Sequence, residues 1–154
     1  MMEFLSWLQA SPLAHGIAKS NHMVIASLQI VHVFGFIFLL APLLLVALRL
    51  LGLVLGEQPL DTIIGPCRNL SLIGLAMSIG SGVLMFTSAP LHYYANWAFD
   101  AKMCLLVAAL GFYALLFWRL RRKTGSSWFA KLNVSVSLLL WIAVCMAGRA
   151  IGFV

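Results

Sequence analysis

His32 is the residue of this chain whose chemistry fits its surroundings least. It stands in Gln29-Ile-Val-His32-Val-Phe-Gly35, inside an apolar run that continues to Leu48-Arg49. An ionisable side chain at membrane depth is costly unless it is paired or used, so an intramembrane histidine marks a candidate functional site. A neutral imidazole can hold haem iron, bind copper or pass a proton. Lys102 and Arg149 also sit within apolar runs, near their ends. They would either neutralise an anion such as a haem propionate or snorkel to the headgroups. His22 and His92 are further imidazoles, each near the end of an apolar run.

These residues need a membrane scaffold to position them. The 154 residues are 63% hydrophobic and only 9% charged. Soluble domains are nearer half apolar and a quarter charged, so this is one integral membrane domain covering residues 1–154. The net charge of +6 does not point to nucleic acid, because the basic residues cluster at the ends of apolar runs. Three cysteines, Cys67, Cys104 and Cys145, form no CxxC pair and predict no disulfide framework. Met1-Met2-Glu3 lacks the positive n-region of a cleavable signal, so the N-terminus is expected to be retained.

The pattern predicts an all-α, four-helix membrane bundle preceded by an interfacial segment over 1–20. Phe4, Leu5, Trp7 and Leu8 beside Glu3, Ser6 and Gln9 suit a short helix lying in the interface. Ser11-Pro12 would cap a second short helix to Lys19. Four spans follow, at about 22–48, 67–89, 99–118 and 132–153, each near the roughly 20 residues that a bilayer core requires. Pro42 falls inside the first span. In the second, Gly74, Ser78 and Gly82 recur every fourth residue, a face that lets another helix approach closely. That face also suits a flat cofactor, although packing is the commoner use. The loops 49–68 and 119–131 hold Arg49, Arg68, Arg119, Arg121, Arg122, Lys123 and Lys131, against Lys19, Lys102 and Arg149 on the other side. This asymmetry puts the loops in the cytoplasm and both termini outside, in the periplasm of a bacterial inner membrane.

With that topology the unusual polar residues gather in the outer half. His32 lies roughly 15 Å inside the outer end of the first span, and His22 sits at that end. Gly35, one turn below His32, would clear space for a macrocycle edge. His92, Tyr93, Tyr94 and Asn96 fall in the outer connection, with Asp100 and Lys102 opening the third span. A haem b held by His32, with Lys102 and Arg149 on its propionates, accounts for this set. The second axial ligand stays open between His92, His22, a methionine such as Met77, Met85 or Met146, and none. Copper is the alternative, because Met85, Met103, Cys104, Cys145 and Met146 are predicted at similar depth. The bland reading is that His32 hydrogen-bonds a neighbouring helix.

The chain carries no Gly-rich phosphate loop, nucleophile elbow or HExxH. The leading expectation is therefore a haem-b membrane protein in electron transfer, exchanging electrons with a quinone or a redox partner protein. The alternatives are a non-enzymatic accessory subunit of a larger membrane complex, a homo-oligomer included, and a copper-handling protein.

Ser11-Pro12-Leu13, His32-Val-Phe-Gly35, Leu48-Arg49-Leu50-Leu51-Gly52, Tyr94-Ala-Asn96, Phe99, Lys102-Met103 and Gly148-Arg149 occur in an order spanning nearly the whole chain. The set resembles a family of small, uncharacterised bacterial four-helix inner-membrane proteins. Gln29 and Ala47 stand where that family often has acidic residues. More distantly, the first-helix histidine with a nearby glycine, and the lysine opening the third helix, are similar to membrane protoporphyrinogen oxidases and copper-resistance D-type proteins. The resemblance implies functional roles for His32 and Lys102 and favours haem b over copper.

Overall fold

The computed structural model describes residues 2–12, 14, 16, 22–122 and 127–153. Among them are α1 (Met2–Gln9), α2 (His22–Leu51), α3 (Leu60–Ser88), α4 (Pro90–Tyr94), α5 (Trp97–Arg122) and α6 (Ser127–Ala150), with no strand. Four of these helices, α2, α3, α5 and α6, are long and apolar enough to cross a bilayer. The protein is an all-α, multi-pass membrane bundle, as its sequence predicts. Large apolar side chains such as Val33, Ile73, Val107 and Leu139 are exposed around it. In a bilayer they meet lipid, so exposure here is solvation by hydrocarbon.

Two span boundaries differ informatively from the sequence pattern. The second span begins at Leu60, because Pro66 lies inside α3 and does not mark its start. Proline removes one N–H, which frees the carbonyl of Thr62. Thr62 is exposed in the first turn of the helix, where solvent or headgroups can satisfy that carbonyl. The fourth span starts at Ser127 and ends at Ala150, leaving Ile151 to Phe153 in turns.

The end of α2 is written in its sequence. Gly52 takes φ +82°, its N–H bonds Arg49 O at 3.1 Å, and Leu53 N–H bonds Leu48 O at 2.9 Å. This is a Schellman stop, which needs the left-handed conformation that glycine adopts freely. Arg49 then donates to the carbonyls of Gly56 and Gln58 at 3.1 and 2.8 Å, fastening the short turn into α3.

The helices do not pack evenly. α2 and α3 form the closest pair, α5 and α6 the next, and α2 meets α6 across the middle. α3 and α5 barely touch. Leu39, Leu43, Val46, Leu116, Val134, Trp141 and Val144 fill the core. The Phe36 ring meets Trp141 edge-on at 5.9 Å, an arrangement aromatic pairs favour. Asn96 closes one end: its Oδ1 accepts from Ala98 N–H at 2.9 Å, capping α5, while Nδ2 donates to Ile151 O at 3.2 Å.

α1 lies on that same end, against α4 and the end of α3, with Leu5 buried. Ser11 Oγ accepts from Ala14 N–H at 3.2 Å, the capping bond expected there. The remainder of the short helix expected to Lys19 lies outside the described residues, as does the side chain of His22.

Candidate functional site

The α2–α3 seam explains where His32 sits. Ser71, Gly74, Ser78 and Ser81 fall on the buried face of α3. They run antiparallel to the α2 residues they meet. Ser71 Oγ donates to Leu39 O at 3.3 Å, and Ser78 Oγ donates to His32 O at 3.4 Å. Between them Gly35 and Gly74 bring the two backbones into contact. A Cβ on Gly74 would lie 2.5 Å from Gly35 O and Leu39 N, and one on Gly35 would lie 2.8 Å from Gly74 O. Gly35 was expected to clear space for a macrocycle edge, but α3 fills that space. The small-residue ladder is used for helix packing.

At the next step along the seam, the His32 ring lies against Gly82, where a Cβ would come 3.4 Å from Cε1. Its Nδ1 is 3.0 Å from Ser81 Oγ. Ser81 Oγ–H points back at its own helix, 2.7 Å from Met77 O and 3.2 Å from Ser78 O. A hydroxyl has one proton. When that proton lies on a carbonyl, Ser81 Oγ accepts from His32 and Nδ1 carries the hydrogen. That tautomer leaves Nε2 with a free lone pair. A ring fixed through Nδ1 with Nε2 free is the arrangement that metal-ligating histidines use.

Lys102 comes to the same level from α5. It is half-buried, its stem lies along Gly148 of α6, and a Cβ there would be 3.5 Å from Nζ. It is close enough to His32 for its charge to act on the imidazole. Two pairs thus face this site: His32 of α2 against Ser81 and Gly82 of α3, and Lys102 of α5 along Gly148 of α6, with the Lys102 charge reaching the imidazole.

Among the other expected residues, Arg149 directly follows Gly148 on α6. It is exposed, and its guanidinium carbon sits 4.9 Å over the Phe153 ring. His92 is exposed on α4, with its ring 5.8 Å from Tyr93. It follows the end of α3 on a separate short helix, after the break at Ala89. Tyr93, Phe86 and Phe99 form an aromatic cluster there, with Phe86 and Phe99 stacked at 5.4 Å. Burial pushes the Tyr93 phenol above its ordinary pKa, so it stays neutral. Met103 and Met146 are 42% and 66% exposed, as are Cys104 and Cys145 in kind, which turns these soft ligands toward lipid. Among the described residues no three His, Cys, Asp or Glu side chains gather as a metal site.

Sequence reasoning missed Ser81 and Gly82 as partners of His32. Their signal was present in the ladder on the second span, since an antiparallel neighbour places 81–82 opposite 32 once 74–78 faces 35.

A scan against protein-family models matches residues 4–154 to a family of unknown function (DUF6644). Searches of the curated proteins and of the solved structures return no match.

Proposed function

The chain belongs to this family of unknown function, and we propose from the His32 site that it is a membrane redox protein holding haem b through His32 Nε2. The observation that carries this reading is the Nδ1–Ser81 contact at 3.0 Å, which holds the ring by that nitrogen; with the proton on Nδ1, Nε2 is free to ligate. The residues present fit a haem at two points. His32 would hold the iron through its imidazole, and Lys102, whose charge reaches that imidazole, would offer a cation to a propionate. Among the described residues no second ligating side chain faces His32 in the contacts of the site.

Haem iron would supply one-electron transfer. The chain itself does the positioning. Ser81 holds the imidazole by its Nδ1 edge in one orientation. Gly82 gives the ring its place. Gly148 lets the Lys102 stem pass between helices. The similarity of His32 and Lys102, by position, to the functional pair of membrane protoporphyrinogen oxidases supports the reading. A quinone or a protein partner would exchange the electrons, on the outward side of a bacterial inner membrane.

Protein purified from haem-replete cells should show a Soret band that shifts on dithionite reduction, and His32→Gln should abolish it. A colourless preparation with no extractable haem would sink the proposal.

A second reading has its own support. The His32–Ser81 bond ties α2 to α3, and it would serve equally in an accessory subunit of a larger complex. There His32→Gln, still able to reach Ser81, would leave assembly nearly intact and no spectrum would be lost.

A further inference from the structure

At the arginine-rich end of the bundle, where α3 and α5 barely touch, the gap between them opens into clefts. One, of 330 Å³, is lined by Asp61, Ile64, Gly65 and Arg68 from α3 and by Leu120 and Arg121 from α5. A second, of 520 Å³, shares Arg68 and Arg121 and adds Phe117, Trp118 and Arg122. Three guanidinium groups therefore face one carboxylate across the two spaces. Basic residues at helix ends need no ligand to explain them, since they set topology. Three further features point to an occupant.

Arg68 is half-buried, and its Nε is enclosed without a hydrogen-bond partner, while Nη2 donates to Asn69 Oδ1 at 3.3 Å. A buried guanidinium N–H left unpaired is costly. The wall at Gly65 is open, because a Cβ there would meet nothing within 4 Å. The cleft also has an apolar side that runs out to the lipid-facing surface. Trp118 is 51% exposed, and Arg122 stacks on it with its guanidinium carbon 4.9 Å from the ring centre. A phosphate suits the guanidinium forks, which bind its oxygens in pairs. Phe117 edges the cleft from the core, and a soluble phosphate would not need the exposed Trp118 beside the guanidinium groups. An acyl chain would.

We propose that the α3–α5 cleft binds the phosphate headgroup of an anionic phospholipid, with Arg68 and Arg121 on the phosphate and Phe117 and Trp118 along the first part of a chain. Basic pockets between membrane helices are a known means of headgroup recognition. This proposal does not depend on His32 or on haem.

The test uses full-length protein reconstituted in nanodiscs of phosphatidylcholine alone or with phosphatidylglycerol, read by native mass spectrometry and by thermal unfolding. The wild-type chain should retain phosphatidylglycerol and melt higher in its presence. The Arg68→Gln/Arg121→Gln variant should lose about tenfold in retention, the scale of a charge-assisted bond or two. Gly65→Leu fills the cleft without altering charge or topology and should do the same. Alanine already precedes a proline inside α2, at Ala41-Pro42, so a Cβ before Pro66 is compatible with a helix. Arg119→Gln, outside both clefts, should retain lipid as the wild type does. Equal retention of the two lipids, or undiminished retention in both cleft variants, would overturn the proposal. So would a stabilisation reproduced in full by inorganic phosphate in phosphatidylcholine discs, which would make the ligand a soluble anion.

Discussion

α3 presents two faces that treat glycine in opposite ways. Toward α2, Gly74 is in backbone contact with Gly35 and Leu39, and no atom can be added without separating the helices. Toward α5, Gly65 faces open space. One seam is closed by the smallest residues and hydroxyl bonds, while the other is left apart and lined with arginines. In lipid no hydrophobic force drives helices together, so association depends on close packing and on hydrogen bonds between helices. The closed seam uses both. It also places His32, because the register that brings Gly35 to Gly74 brings the imidazole to Ser81 and Gly82.

The sharpest way to break this comparison is Gly74→Ala. Its Cβ would fall 2.5 Å from backbone atoms of α2, which cannot rotate aside. Overpacking of this kind costs about 3 kcal/mol, measurable by denaturant titration in mixed micelles. Gly35→Ala should cost nearly as much. If either variant unfolds like the wild type, the backbone contact is not what holds α2 to α3.

His32→Gln and Ser81→Ala come next. The closed seam makes them separable: Gln can still reach Ser81, whereas alanine at 81 frees the ring. Ser81→Ala should cost about 1 kcal/mol or less, the usual worth of an interhelical bond in a membrane. Under the haem reading it should also broaden or shift the Soret band, since the imidazole is no longer held by its Nδ1 edge, while His32→Gln removes the band altogether. An unchanged spectrum in Ser81→Ala would separate the serine from the site.

What was legible in the sequence divides along the same line. The four spans follow from hydropathy and length alone. The Gly74–Ser78 ladder, by its spacing of four, foretold a close helix contact. The partner of that contact was not legible, because many registers between two apolar helices look alike until one glycine is paired with another. Gly35 shows the consequence. One turn from a histidine, it reads as space for a ring, yet the neighbouring backbone takes the space. The start of α3 was misplaced for a local reason, since Pro66 is tolerated in a turn whose freed carbonyl stays exposed. Arg149 reads as an anion partner by position, but its contact with Phe153 depends on the turn after α6, and no periodicity describes that turn.

The two glycines of α3 nearest these sites give the smallest expected effects, and Gly82 separates them. A Cβ there would meet His32 Cε1 at 3.4 Å, a contact that a slight ring shift relieves. Gly82→Ala should change stability by less than about 0.5 kcal/mol, because the gain in helix propensity offsets the crowding. Its effect should appear instead at the imidazole, in the spectrum or the His32 ring resonances. Gly65→Ala should be silent in both readings. Its Cβ meets no atom, so only backbone preference and the strain before Pro66 remain, and these oppose each other. A loss at Gly65 approaching that of Gly74→Ala in the same titration would mean that the α3–α5 gap is closed in the bilayer, and the contrast between the two faces would fail.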